Sequence, residues 1–180
     1  MKKVDFKMKF VVGSAAIQDT DKKAKGENND CFVRAVMNAC QVSYDEAHEL
    51  VATKFGRQRG KGTMGAPMKL KTMATAGEKL AGKEIRPLGI FSKTPITPAK
   101  AKERGVLLNL KYPKGGGTYS GFTVGKFLDQ HPKGSFILIV AKHALAIRDG
   151  KIYDNADQLD ALFLTKGRDQ RKALAIFRVE

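Results

Sequence analysis

Residues 28–40 read NNDCFVRAVMNAC, and this stretch decides how the rest of the chain is interpreted. After a polar loop, apolar residues recur at the three- and four-residue spacing of a buried helix face: Phe32, Val33, Val36 and Met37. Asp30 is of a type that commonly caps a helix N-terminus, so Cys31 is predicted to lie in the first turn. The unpaired N–H groups and the positive end of the helix dipole favour a thiolate there. The stretch therefore predicts a nucleophilic cysteine at the start of a helix.

A simpler interpretation is that Cys31 is only a small apolar residue of the core, as many free cysteines are. Cys40, near the predicted end of the same helix, has none of the features that favour a thiolate. It therefore serves as an internal control for every statement about Cys31.

Length and composition predict one domain over residues 1–180, in which residues 1–26 form a strand and a polar lead-in that could be flexible. Two cysteines on one helix do not make a disulfide framework, which favours a reducing compartment. No apolar run reaches the roughly 18 residues of a membrane span, and the N-terminus is too charged for a signal peptide. We therefore expect a cytoplasmic monomer that does not enter membranes, located in the host cytoplasm if a phage encodes it.

The charge of the chain bears on its partners. Lysine and arginine number 33 against 18 aspartates and glutamates, which gives a net charge of +15. Such a field attracts acidic protein surfaces and polyanions. The basic residues are spread along the chain and tryptophan is absent from the sequence, so base-stacking recognition is not indicated. We expect a protein or peptide substrate, with acidic ones favoured, and only non-specific contact with nucleic acid.

Local patterns place other elements around the cysteine helix. Apolar and polar residues alternate over residues 4–10 as in a half-buried strand. The sequence SYDE at residues 43–46 is a capping box and predicts the start of a second helix. Residues 56–67, GRQRGKGTMGAP, predict a loop or lid. A third helix is expected to begin at Pro67 and to end just before Gly82.

Residues 134–157, GSFILIVAKHALAIRDGKIYDNAD, carry the second informative pattern. Their apolar run predicts a central strand, and the dipeptide DG at 149–150 is a strong two-residue hairpin turn. If the strands pair directly across this turn, His143 and Asp154 share one face of the sheet as diagonal neighbours, roughly 5–8 Å apart at the backbone. Asn155 then points to the other face. A histidine whose ring is oriented by a carboxylate supplies two parts of a nucleophile–base–orienter arrangement.

Three motifs together resemble the papain-like cysteine peptidases in the broad sense, especially small bacterial and phage proteins: DCFVRA, SYDEAHE and HALAIRDGKIYD. The resemblance covers about residues 27–157, with the nucleophile helix first and the histidine hairpin later. It implies a papain-like α+β fold, in which N-terminal helices carrying the nucleophile pack on a small antiparallel sheet carrying the hairpin. It also implies Cys31 as nucleophile, His143 as general base and then acid, and Asp154 as orienter.

The chain departs from that family at the position that helps to bind the oxyanion. Papain-like enzymes commonly carry a glutamine six residues before the cysteine, whereas this chain has Lys25. Asn28 or Asn29 could donate instead, together with the backbone N–H of Cys31. No cofactor or metal is expected. A zinc site built from the three catalytic candidates is disfavoured because structural zinc normally has four ligands.

These observations predict a cysteine hydrolase, a peptidase or isopeptidase that works through an acyl-enzyme thioester. The same triad could act as a transglutaminase or deamidase, because only the attacking acceptor differs. An alternative of another class is a catalytically inert or non-enzymatic basic protein that binds nucleic acid or an acidic host protein. The enzyme needs Cys31 and His143 within reach of one another in an open groove, whereas the binding protein needs a continuous basic face.

Overall fold

The computed structural model describes residues 10–12, 26–90, 123–154 and 173–180. These ranges contain four helices: α1 (Cys31–Cys40), α2 (Tyr44–Phe55), α3 (Ala66–Thr75) and α4 (Val124–Gln130). They also contain seven strands: β1 (Phe10–Val12), β2 (Lys79–Leu80), β3 (Lys83–Ile90), β4 (Ser135–Val140), β5 (His143–Arg148), β6 (Lys151–Asp154) and β7 (Ala173–Val179). The described part of the chain is therefore an α+β structure.

The strands form one sheet in the order β1-β6-β5-β4-β7-β3-β2. The apolar run of β4 is in the middle of this sheet, as predicted. Neighbouring strands are antiparallel, except that β1 runs parallel to β6. The sheet is wider than the small antiparallel one expected, because β7 inserts between β4 and β3 from a distant part of the sequence.

Both faces of the sheet are covered, and successive side chains of β4 belong to two different cores. Ile137 and Ile139 belong to the core beneath α1, α2 and α3. Phe136, Leu138 and Val140 belong to the second core, which includes the apolar residues of α4. This division follows from the two-residue period of a strand, which sends successive side chains to opposite faces.

Helices α1 and α2 follow one another and form a helical hairpin. All residues of α1 after Cys31 are buried, so this helix lies inside the fold as a rigid support. The capping box at the start of α2 is present, since Ser43 accepts from the Glu46 N–H and the Glu46 carboxylate accepts from the Ser43 N–H. The helix ends in the left-handed conformation at Gly56, φ 65°. The predicted start of α2 is therefore confirmed.

Helix α3 is shorter than predicted. It ends at Thr75, because Gly77 takes a left-handed conformation, φ 72°, that stops the helix. Leu80 lies in β2 and pairs with Lys83 across a tight turn, so the expectation of a helix up to Gly82 is wrong. A buried strand position gives Leu80 the same burial that a helix position would have given it, and periodicity alone did not distinguish the two.

The β5–β6 hairpin has the predicted register. Arg148 pairs with Lys151 and Ile147 with Ile152, around a turn at 149–150 in which both residues have positive φ. This register fixes which residues of the hairpin share a face. Of the strand predicted over residues 4–10, only Phe10 is within the described residues, where it pairs with Ile152 in β6.

Within the described ranges, every helix is too short or too polar to span a bilayer.

Candidate active site

Cys31 is held at the point where a loop turns into α1. Asn29 has a left-handed backbone, φ 55°, which asparagine tolerates better than most residues. Cys31 is the first residue of the helix and is partly exposed, whereas the rest of α1 is buried. The buried helix therefore anchors the residue while its thiol lines a cleft.

Asp30 does not cap α1 in the predicted way. Its φ and ψ of −96° and 16° are not the extended conformation of an N-cap, and its side chain makes no capping hydrogen bond. Instead Oδ2 accepts from Arg34 Nε at 2.8 Å and from the Tyr44 hydroxyl at 2.9 Å. All three residues are buried, and a buried carboxylate gains more from a guanidinium and a hydroxyl than from an amide. Asp30 therefore occupies the predicted N-cap position without a side-chain cap, and the cluster fixes α1 to α2 at the turn carrying Cys31.

His143 begins β5 and Asp154 ends β6, and the hairpin brings their side chains together. His143 Nε2 lies 2.7 Å from Oδ1 and 2.9 Å from Oδ2 of Asp154. The two side chains are only 4% and 2% exposed. The prediction that they share a face is confirmed, whereas Asn155 lies outside the described residues. Because the carboxylate engages Nε2, Nδ1 is the ring nitrogen left for a second partner.

Cys31 lines the same cleft as His143 and is close enough to affect the pKa of the ring. Burial on its own would lower the pKa of His143, but hydrogen bonds and negative charge from Asp154 and Cys31 outweigh it and raise the pKa from 6.5 to about 9. The ring therefore favours its protonated form at neutral pH, and an imidazolium beside a cysteine is an arrangement that activates cysteine nucleophiles. The structure thus brings together the three residues predicted as catalytic.

The cleft beside these residues has a volume of about 370 Å³. One wall comes from the segment 62–64, which belongs to the stretch predicted as a loop or lid. Its lining is mostly apolar: Phe32, Met64, Pro67, Ile139 and Leu174. Lys142, next to the histidine, is the other basic side chain of the lining. An apolar cleft with a few convergent polar groups is the usual form of a ligand site.

The two asparagines proposed as oxyanion donors are placed differently. Asn29 lines the cleft with Cys31, whereas Asn28 is exposed and outside the lining. Asn29 Nδ2 donates one long hydrogen bond, 3.5 Å, to the carbonyl of Gly60. A primary amide carries two N–H groups, so a second donor is available on the same nitrogen. The backbone N–H of Cys31, in the first turn of α1, also has no acceptor within its helix.

Sequence reasoning missed Glu27. Its side chain is 1% exposed, and Oε2 accepts from Arg57 Nη2 at 2.8 Å and from the backbone N–H of Gly60 at 2.9 Å. Oε1 lies 3.2 Å from Nε2 of His48. A single glutamate in a polar loop carries no signal of burial, and its partners lie about 30 residues further along the chain. The position of Glu27 four residues before the cysteine was the only available hint.

Both cysteines are free thiols. Among the residues that the structure describes, no group of three or more His, Cys, Asp or Glu side chains could hold a metal ion. The zinc alternative considered from the sequence therefore gains no support from the geometry.

Comparisons of the chain with protein-family models, with curated proteins and with solved structures found no match. The papain-like resemblance therefore rests on the three motifs alone. Function has to be inferred from the geometry of the site.

Proposed function

We propose that the protein is a cysteine hydrolase, a peptidase or isopeptidase with a papain-like arrangement of Cys31, His143 and Asp154. The observation that supports this best is a buried carboxylate–imidazole pair whose histidine lines one cleft with a cysteine at a helix start. Buried histidine–carboxylate pairs also occur in purely structural roles. A structural pair, however, gives no reason for a partly exposed thiol beside it in an apolar cleft.

In the first half of the reaction the Cys31 thiolate attacks the carbonyl carbon of an amide. A C–S bond forms, and the carbonyl π electrons move to the oxygen. The backbone N–H of Cys31 and the side chain of Asn29 are the donors available to that oxyanion. His143 then gives its proton to the leaving nitrogen, the C–N bond breaks, and the acyl group remains on sulfur as a thioester.

In the second half a water molecule takes the place of the amine. His143, now neutral, accepts a proton from the water while the oxygen attacks the thioester carbonyl. The C–S bond breaks, the carboxylic acid leaves, and the thiolate is restored beside the protonated ring. Asp154 orients the ring throughout and stabilises its charged form, because its carboxylate holds Nε2.

The acceptor in the second half decides the kind of product. Water gives hydrolysis of a peptide or isopeptide bond, or deamidation if the first leaving group is the ammonia of a glutamine side chain. An amine gives transamidation. Hydrolysis of a peptide or isopeptide bond is the form proposed here, and a free thiol nucleophile fits a reducing cytoplasm.

The test is to incubate the protein with a denatured bacterial protein extract and to identify modified peptides by mass spectrometry. New peptide N-termini report a peptidase, and loss of lysine-linked branches reports an isopeptidase. Conversion of glutamine to glutamate, or new amine adducts, would instead assign the deamidase or transglutaminase reaction.

Three variants control the experiment. Cys31→Ala and His143→Ala should abolish every product, while Cys40→Ala, which changes the other thiol of the same helix, should leave the product pattern intact in folded protein. The proposal fails if wild type and Cys31→Ala give the same set of peptides.

A further inference from the structure

Glu27 is buried close to the candidate nucleophile but has no step in the proposed chemistry. Its Oε2 binds two groups of one loop, the guanidinium of Arg57 at 2.8 Å and the N–H of Gly60 at 2.9 Å. Its Oε1 has His48 Nε2 at 3.2 Å and Arg59 Nε at 3.8 Å. A carboxylate is costly to bury unless it is paired and hydrogen-bonded, and here both oxygens have partners.

The contacts join two segments that both line the site. Arg57, whose side chain is fully buried, also donates from Nη2 to the carbonyl of Asn28 at 3.3 Å and from Nη1 to the carbonyl of Lys61. The loop that continues into the cleft wall at residues 62–64 is thereby tied to the residues just before Cys31. Glu27 lies at the centre of this connection.

Gly60 uses both of its backbone groups in the same network. Its N–H is bound by Glu27 at 2.9 Å, and its carbonyl accepts from Asn29 Nδ2 at 3.5 Å. Gly60 has φ 68°, a conformation that suits glycine far better than other residues. The carboxylate therefore holds the residue whose carbonyl accepts from the Asn29 side chain, through the neighbouring peptide group.

We propose that Glu27 is a positioning residue for the oxyanion donor Asn29. The carboxylate holds Gly60, and the Gly60 carbonyl holds one N–H of the Asn29 amide, so that the second N–H is directed to the carbonyl oxygen of the substrate. A donor located before the reaction costs no reorganisation when the charge develops. The inference rests on the proposed function, because it requires that Cys31 attack a carbonyl group.

Two reactions of the Cys31 thiol distinguish the effect of the oxyanion donor from the reactivity of the nucleophile. With p-nitrophenyl acetate the thiolate attacks a carbonyl carbon, an oxyanion forms, and the C–O bond to p-nitrophenolate then breaks to leave S-acetyl Cys31. With iodoacetamide the thiolate displaces iodide from a saturated carbon, and no oxyanion forms. The ratio of the acetylation rate to the alkylation rate at Cys31 therefore reports oxyanion stabilisation, since both rates depend equally on the thiolate fraction.

We expect Asn29→Gly to lower this ratio by about 100-fold, the size of the loss when an oxyanion donor is removed. Glycine keeps the positive φ of that position without strain. Glu27→Ala should lower the ratio by about tenfold, because the donor is still present but is no longer held in place. Glu27→Gln should recover most of that loss, since its amide oxygen can still accept from Gly60.

The matched control is Glu78→Gln, which makes the same chemical change in a surface ion pair with Lys54 and should leave the ratio unchanged. Glu27→Ala leaves a buried Arg57 charge without its carboxylate and can prevent folding. Glu27→Ala and Glu27→Gln are therefore also compared in Arg57→Met protein. That protein lacks the buried guanidinium that Glu27→Ala would leave unpaired. Buried Cys40 should remain unlabelled in every folded sample.

A double-mutant cycle separates positioning from general destabilisation. In Asn29→Gly protein, Glu27→Ala should cause no further fall in the ratio, because the donor it positions is gone. An equal fall in both backgrounds, or an unchanged ratio in Glu27→Ala protein, overturns the inference. If Cys31 of the wild type reacts with neither reagent, the proposed function fails as well, whereas fast alkylation with a ratio insensitive to Glu27 leaves the function standing.

Discussion

Asp154 should stabilise the folded protein in a pH-dependent way, and Asp154→Asn is the change that isolates this effect. Its carboxylate contacts His143 at 2.7 and 2.9 Å and, with Cys31, raises the pKa of that residue from 6.5 to about 9 against the opposing effect of burial. At about 1.4 kcal/mol for each pH unit, the rise corresponds to about 3 kcal/mol. This figure is the net effect, because Cys31 contributes to the rise and burial opposes it.

The direction of the pH dependence follows from the raised pKa of His143. A histidine with a higher pKa in the folded state contributes stability that is fully present below its unfolded pKa, near 6.5, and is lost as the pH passes about 9. The difference in unfolding free energy between wild type and Asp154→Asn should therefore shrink by about 3 kcal/mol from about pH 6 to above pH 9. Urea unfolding followed by circular dichroism at a series of pH values measures it.

Asp149→Asn is the matched control for this measurement. Asp149 is exposed in the same hairpin and accepts from the N–H of Gly134 at 3.1 Å, and asparagine tolerates its φ of 48°. Its effect on stability should be the same across that pH range. A difference for Asp154→Asn that stays flat, or grows as the pH rises, would refute the conclusion that Asp154 keeps His143 protonated.

Three further predictions concern the catalytic orienter, the charge of the chain and the capping box. In turnover assays, Asp154→Ala should lower the rate by about 10–1000-fold, while Asn155→Ala should cost much less; equal losses would mean that Asn155 shares the orienting role. Association with an acidic partner should slow several-fold from about 0.05 to 0.2 M salt, and tight sequence-selective binding to DNA that is unaffected by Cys31→Ser would contradict an enzyme as the primary function. Ser43→Ala should lower the unfolding free energy by about 1 kcal/mol, measured in urea, because it removes the acceptor for the Glu46 N–H.

Features set by a few neighbouring residues could be predicted from the sequence. The dipeptide at 149–150 fixes a two-residue turn, and the turn fixes the pairing of Ile147 with Ile152 and the shared face of His143 and Asp154. The capping box at Ser43 is equally local. In both cases the interacting groups lie within about a dozen residues, so sequence spacing determines their geometry.

Partners of buried charged groups could not be predicted, because they are chosen by tertiary proximity. The pairing of Asp30 with Arg34, four residues on, is local, but the Tyr44 hydroxyl reaches Asp30 only because α2 folds back on α1. Glu27 is bound by Arg57 and Gly60, which no local rule connects with it. The same limit applies to the sheet, where β7 lies between β3 and β4 although it follows β4 by more than 30 residues.

Alkylation across about pH 4–9 tests whether Cys31 is a nucleophile activated by His143. Burial raises the pKa of Cys40 to about 11, only partly offset by Lys83, so Cys40 should stay almost unreactive throughout that range. Iodoacetamide labelling with peptide mass mapping should therefore modify Cys31 much faster than Cys40 below neutral pH. In His143→Ala protein the Cys31 profile should move toward that of an ordinary thiol. Equal reactivity of the two cysteines in folded protein, or a Cys31 that reacts only after denaturation, would show that Cys31 is not the nucleophile.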